Sequence, residues 1–395
     1  MSVTGKAYIT NLSAFLPNAP VSNEAMESVL GMINGRPSRA RRIILRSNGI
    51  QTRYYAIDPA TGKATHSNAQ LTAAAIRGLA RADFRLEQID LLACGTTFAD
   101  QLVPSHTSMV HGELGIPPCE TVATSGVCIS STTALKYAML GVAGGEFRHA
   151  VSAGSEMPSA VMHARNFRAE SDAQIEALEK QAVTAFQKDF IRWMLSDGAG
   201  AALIEPQPAA AGLSLRIDWI VERSYANEQP ACMYGGAEKL EDGSLKGWPE
   251  YDPSEWAERS IFTLKQDVKQ LNEHIMAYTV ERPLREIPQL RSLQPGDVDF
   301  FLPHYSSHYF REKVHAHMCK AGLDVPFERW FTNLYSKGNI GAASIYVLLE
   351  ELFHSGRLQP GHRLLCYIPE SGRFSTAWMY LRVCGADGKT PSSPP

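Results

Sequence analysis

Cys128 is the side chain whose setting in this sequence most suggests covalent chemistry. Glu120 to Thr124 read as the end of a strand, and Ile129, Thr133, Ala134, Tyr137 and Leu140 then recur at helical spacing. The cysteine therefore stands where a strand turns into a helix, and Gly126 permits a sharp turn there. Free backbone N–H groups and the positive end of the helix dipole are expected to face its sulfur. Such a setting favours thiolate, the nucleophilic form of the side chain. The plainer alternative is a small buried core cysteine.

Three more residues stand in comparable places. His304 follows Pro303 at the end of a strand over 298–306. Asn339 lies in the Gly-rich turn that opens the helical stretch 338–356, and Gly372 closes a strand over 362–372. Alone, Asn339 reads as an ordinary turn residue. His304, His308, His315 and His317 are close in sequence. Pro303 breaks a shared helical face and no Glu accompanies the i, i+4 pair, so no metal is expected.

The elements that carry these residues come in two similar series. In the first, a strand over 88–97 is followed by a helix, the Cys128 turn and its helix, a strand over 147–156 and a final strand. In the second, the 298–306 strand is followed by a helix, the Asn339 turn and its helix, the 362–372 strand and a final strand. Such a repeat implies two α/β halves with largely parallel sheets covered by helices. Ligands in such folds collect at the carboxyl ends of strands. Duplication would therefore bring Cys128, His304, Asn339 and Gly372 to one place. The halves are drawn as 1–206 and 213–385, joined by 207–212, with a tail over 386–395 expected to be disordered.

Shorter stretches complete the reading. Residues 36–55 carry five arginines before Asn48-Gly49 and read as a solvated basic loop or a phosphate-facing patch. Residues 68–83 and 104–114 read as helices, and 257–280 as one long helix. Residues 160–195 read as a charged helical insertion. Within it Phe186, Phe190 and Trp193 share one face, as core or as the lining of an apolar pocket. Residues 226–256 read as a long loop insertion. Asp197-Gly198-Ala199-Gly200-Ala201 leads into a strand and is too short for a phosphate loop.

Bulk composition narrows the class. The chain has 395 residues, 44% of them apolar, and a net charge of −3 without a long basic run. That suits a folded globular chain of two domains or one large α/β domain and gives no support to nucleic-acid binding. Seven scattered cysteines without a C-x-x-C pair fit a reducing, cytoplasmic setting. No membrane span or signal segment is expected.

With these pieces in order, the chain resembles the ketosynthase III branch of the thiolase superfamily from Ala7 to Val383. The resemblance rests on Arg46-Ser47-Asn48-Gly49-Ile50, the Cys128 turn, Asp197 to Ala201, Pro303-His304, Gly338-Asn339 with Ala342-Ala343-Ser344, and Ser371-Gly372-Arg373-Phe374. The N-terminal stretches 17–23, 38–56 and 65–71 and the 160–195 insertion are most similar to the ketosynthases of dialkylresorcinol and isopropylstilbene formation. The resemblance implies a layered αβαβα thiolase fold and a homodimer. It also implies acyl carrier protein or coenzyme A thioesters as substrates, without a cofactor.

Residue roles follow from the same resemblance. Cys128 would be acylated, with its own N–H and that of Gly372 as the oxyanion hole. His304 and Asn339 would sit over the second thioester. Val103, just before Pro104, would reach the partner's acyl pocket. Arg42 stands where relatives often carry a Trp, and with Arg46 it suits phosphates or an acidic carrier. The chain departs from the family at His304-Tyr305-Ser306-Ser307, in place of His-Gln-Ala-Asn, and at Ser371-Gly372-Arg373, in place of three glycines. The glycine turn holds no second cysteine, which argues for synthesis over thiolysis. The implied reaction joins a β-ketoacyl to an α,β-unsaturated acyl thioester, giving a 1,3-cyclohexanedione. A decarboxylative, malonyl-using synthase is the alternative.

Overall fold

The computed structural model describes residues 5–38, 40–167 and 190–386. Its strands carry period-2 patterns or continuous apolar runs, and nine of them form one sheet. They are β1 (Tyr8–Phe15), β2 (Leu91–Thr96), β3 (Glu120–Ser125), β4 (Ala150–Glu156), β5 (Gly198–Glu205), β6 (Ser214–Ser224), β7 (Phe300–Pro303), β8 (Arg363–Glu370) and β9 (Ser375–Cys384). Their spatial order is β7-β8-β9-β6-β1-β5-β4-β2-β3. The two halves meet where β1 pairs antiparallel with β6 through Tyr8–Arg216 and Ile9–Leu215.

The helices used below are α1 (Arg41–Asn48), α2 (Asn68–Arg77), α3 (His106–Leu114), α4 (Ser130–Gly144), α5 (Val268–Met276), α6 (Arg282–Leu290), α7 (Arg311–Lys320) and α8 (Ser344–His354). Caps set several of their starts. Ser67 and Gln70 form a reciprocal capping box on α2, and Asp267 caps α5 through the Gln270 N–H.

Read outward from β1 and β6, the halves repeat. β1 pairs antiparallel with β5, β5 antiparallel with β4, β4 parallel with β2, and β2 parallel with β3. β6 pairs antiparallel with β9, β9 antiparallel with β8, and β8 parallel with β7. A single parallel bridge, Phe301 to Trp330, stands where the fifth strand would be. The sheet is therefore mixed, and the expectation of largely parallel sheets is corrected. In the C-terminal half the final two strands are joined by a short return over 371–374, which forces antiparallel pairing.

Helices α4 and α8 are the equivalent elements of the two halves. They meet at their first turns, where the Ser131 hydroxyl donates to the Ala342 carbonyl. The Tyr346 hydroxyl donates to the Ser131 carbonyl at 2.9 Å. This closeness needs glycine beneath it. A Cβ on Gly95 would lie 2.4 Å from the Ser131 nitrogen, and one on Gly154 2.6 Å from the Ala342 oxygen.

Other expectations change. The basic stretch is the helix α1, closed by Gly49 in the left-handed conformation (φ 71°). The long helix expected over 257–280 begins only after the Asp267 cap. It passes through a π-type turn over Ala277–Glu281 and continues as α6. Pro283, which has no N–H to donate, stands directly after the π-type turn. The 226–256 insertion is ordered: Ala237–Lys239 pairs with Leu245–Gly247, and Met233–Tyr234 pairs with Lys265–Gln266 beyond it. Trp248, Trp256 and Phe262 pack edge to face and tilted beside them. Most of the 160–195 insertion and the tail after Ala386 lie outside the described residues.

Candidate active site

Cys128 and Asn339 each stand three residues ahead of a member of the contact between α4 and α8. Packing of the two central helices therefore brings both residues to the same end of the molecule. His304 leaves the end of β7, where its N–H donates to the Tyr367 carbonyl at 2.8 Å. Cys128, His304 and Asn339 all line one cavity of about 50 Å³. Ser371, next to Gly372, lines it too, and a Cβ on Gly372 would stand 3.4 Å from Val127. The turns that carry Cys128, His304 and Asn339 meet at this cavity, with the turn of Gly372 beside it.

His304 and Asn339 are 5% and 3% exposed. Burial lowers the His304 pKa to about 4, so the ring is neutral at physiological pH. Neither imidazole nitrogen has a hydrogen-bond partner among the described residues. Asn339 accepts the Gly341 N–H through Oδ1 at 2.9 Å, which leaves its amide nitrogen unclaimed among the described residues. The site thus offers a thiol, a neutral imidazole and an amide donor.

Asn339 is held by the other half of the chain. Its N–H donates to the Met194 carbonyl, and its carbonyl accepts the Ser196 N–H at 2.8 Å. The preceding residue, Trp193, has its carbonyl fixed by Arg53 at 2.9 Å and by the Asn48 amide at 3.2 Å. Arg53 is fully buried and also donates to Asn23. The stretch after the basic helix therefore supports the site through the backbone of 193–196. Sequence reading named Asn48-Gly49 as a motif but missed Arg53. An arginine three residues after an apolar Ile50 carries no visible sign that it will be buried.

The electrostatics of Cys128 differ from the expectation. Its thiol is pushed well above the ordinary value, first by burial, then by Glu370 and Glu156. The physical reason lies in the turn. Oε2 of Glu370 accepts the Val127 N–H at 3.0 Å and the Ile129 N–H at 3.2 Å. The N–H groups on either side of the cysteine thus serve a carboxylate instead of a thiolate. Burial raises the Glu370 pKa as well. Glu156 accepts the Ala342 N–H at 3.1 Å and contacts Thr97, and burial raises it to about 8. Neither glutamate was singled out from sequence, although Glu370 lies two residues before the named Gly372.

The remaining candidates divide. Trp193 is fully buried and Phe190 nearly so, both in the apolar core, and neither lines the cavity. Phe186 lies outside the described residues. The apolar lining comes instead from Met194, Met233, Leu271, Ile275, Met276 and Phe310, which the sequence reading did not select. Arg42 and Arg46 are exposed on α1 without acidic partners among the described residues. That helix adjoins the loop after His304, where the Ser307 hydroxyl approaches the Ser47 carbonyl at 3.5 Å. Val103 is 83% exposed and its neighbour Leu102 76%.

The chain and its fold are similar to several known proteins. A family model for the 3-oxoacyl-[acyl-carrier-protein] synthase III C terminal matches residues 289–369. The beta-ketoacyl-[acyl-carrier-protein] synthase III of Sulfurovum sp. is 22% identical over 372 residues, covering 92% of this chain and 93% of its own. Synthase III 1 of Deinococcus radiodurans is 23% identical over 362 residues, covering 91% and 89%. Among solved structures, the tetronic acid condensing enzyme AbyA1 superposes with a TM-score of 0.73 at 19% identity, over 95% of this chain and 99% of that one. OleA of Xanthomonas campestris, solved with lauric acid and lauroyl-CoA, gives 0.71 at 17% identity, over 95% and 99%. The fold is that of the thiolase superfamily. Over 289–369 the chain is similar to the synthase III C-terminal family, and over most of its length to the synthase III relatives.

Proposed function

We propose that this ketosynthase III-like condensing enzyme works through an acyl-Cys128 intermediate. The observation that carries the reading is the convergence of Cys128, His304 and Asn339 on one cavity from both halves of the chain. In the first step the Cys128 sulfur attacks a thioester carbonyl and the carrier thiol leaves with the proton. The resting thiol is protonated, so attack needs a proton acceptor, and neutral His304 on the same cavity is suited to that role. The N–H groups of Cys128 and Gly372 would receive the oxyanion, and one such donor is worth about 3 kcal/mol.

In the second step His304 and Asn339 stabilise the carbanion of a second thioester, which attacks the acyl group and releases Cys128. The favoured pair is a β-ketoacyl and an α,β-unsaturated acyl thioester, closing to a 1,3-cyclohexanedione. A β-ketoacyl α-carbon lies between two carbonyls and loses its proton to a simple base. The resemblance to the dialkylresorcinol and isopropylstilbene ketosynthases supports this choice over malonyl decarboxylation. Alkyl chains exceed the cavity as it stands. Three flexible methionines in its wall, Met194, Met233 and Met276, are suited to yield to them.

Carrier and partner follow the same reasoning. The guanidinium groups of Arg42 and Arg46, without acidic partners among the described residues, suit the phosphate of a pantetheine arm or an acidic carrier protein. A homodimer is supported by exposed Leu102 and Val103 and by β3. That strand is six residues long, lies at the sheet edge and is largely exposed. An open edge of this kind is a template for strand pairing.

Intact-protein mass tests the intermediate. Mixing with an acyl thioester should add the acyl mass, and Cys128→Ser should abolish the gain. An unchanged mass with every acyl donor offered would refute the reading. Release of CO₂ from malonyl carrier, with no product from β-ketoacyl thioester, would favour the decarboxylative alternative.

A further inference from the structure

Helix α7 presents His315 and Cys319 one turn apart on one face. The chain then reverses through Ala321 to Leu323 and carries Asp324 onto that face. Three donor atoms close a triangle there. His315 Nε2 lies 3.2 Å from Asp324 Oδ1, and Cys319 Sγ lies 3.7 Å from the same nitrogen and 3.4 Å from the same oxygen. A tetrahedral zinc ion, with bonds near 2.0 Å to nitrogen and oxygen and 2.3 Å to sulfur, holds its donors about 3.3 to 3.6 Å apart. All three edges fit one centre. Phe327, with its ring centroid 4.5 Å from that of His315, holds the imidazole in place. His308 and His317 are committed elsewhere, to Tyr335 at 2.8 Å and to Glu281 at 2.6 Å.

We propose that His315, Cys319 and Asp324 form a binding site for a thiophilic divalent metal ion, best suited to Zn²⁺, with a fourth position open to water. One thiolate, one imidazole and one carboxylate favour zinc or cobalt over magnesium and calcium, which prefer all-oxygen sites. On binding, Cys319 loses its proton to solvent as the sulfur–metal bond forms, so affinity rises with pH. The cluster is accessible, the His315 and Asp324 side chains being 25% and 70% exposed. It lies apart from the candidate active site, whose wall α7 lines with Val314. An ion there would tie the end of α7 to the segment leading to Trp330 and brace that wall from outside.

Titration of the metal-free full chain with Co²⁺ alone, followed by absorption, tests the site. One equivalent should produce a thiolate-to-cobalt charge-transfer band, displaced by Zn²⁺ and absent in Cys319→Ser. His315→Ala and Asp324→Asn should each weaken binding at least about tenfold. In the unmutated chain, Zn²⁺ should protect Cys319 from iodoacetamide, mapped by peptide mass, which needs no variant to fold. Absence of both the band and the protection would overturn the proposal. So would a band that survives Cys319→Ser and disappears in Cys128→Ser, which would put the ion at the cavity thiol.

Discussion

The two halves share one strand pattern but finish their outer edges differently. In the N-terminal half the outermost strand, β3, keeps six residues and stays largely exposed. In the C-terminal half its counterpart shrinks to the single Phe301–Trp330 bridge. Trp330 there packs on Phe301 at 4.7 Å and on Phe327 at 5.0 Å, and Arg311 covers the Phe327 face at 3.6 Å. One edge is closed by aromatic packing and the other is left with unpaired backbone groups. Duplication therefore preserved what positions the turns before α4 and α8 and released what lies beyond them. The chemistry diverged in the same way. The turn before α4 carries a thiol beside two buried glutamates, and the turn before α8 carries an amide whose donor is unclaimed among the described residues.

The comparison can be broken first at the two turns. Cys128→Ser should lower product formation at least about a thousandfold and remove the acyl adduct, since the variant loses the nucleophile. Asn339→Ala should cost about a hundredfold in the condensation step and leave acylation intact, as seen by adduct mass. Equal loss of acylation in both variants would show that the halves do not divide the reaction.

The support across the halves comes next. Arg53→Met should destabilise the fold by about 3 kcal/mol in urea unfolding, because the buried Trp193 carbonyl and Asn23 lose a charged donor. A similar amount is expected from acid. His304 is held neutral in the fold, so its contribution is complete above pH 6.5 and is lost as pH falls toward about 4. That shift corresponds to roughly 3 kcal/mol by linkage, and His304→Asn should remove it from the pH dependence of unfolding.

The open edge is tested by Ala123→Lys, an exposed position of β3. It should weaken self-association at least about tenfold in sedimentation without altering the circular dichroism. The smallest effect is expected at Glu370. Glu370→Gln keeps an acceptor for the Val127 and Ile129 N–H groups and removes the negative charge. The thiolate fraction of Cys128 should rise, and alkylation near pH 8 should quicken a few-fold. An unchanged rate would mean that burial and Glu156 hold the thiol without Glu370.

Much of the site was legible because its residues sit at punctuation points. A cysteine between a strand and a helix, a histidine after a strand-ending proline and an asparagine in a glycine turn are all visible in one dimension. The repeat made their convergence an inference about topology instead of a guess about contacts. The apolar lining was not legible in this way. Phe190 and Trp193 fall on one helical face, but a helical stripe does not say whether it meets the core or a cavity. The structure gives Phe190 and Trp193 to the core and the cavity to three methionines, Met194, Met233 and Met276, from three separate segments.

By itself the amino-acid order determined the two series of strands and helices, the turns between them and the reactive groups in those turns. These depend on local periodicity and on glycine and proline, which act over a few residues. Only the tertiary structure decided that Glu370 would take the N–H groups beside Cys128, that Arg53 would be buried beneath Trp193, and that His315, Cys319 and Asp324 would meet. Charge and hydrogen bonding between distant segments depend on separations of a few ångströms, and those are set by how the helices and sheet finally pack.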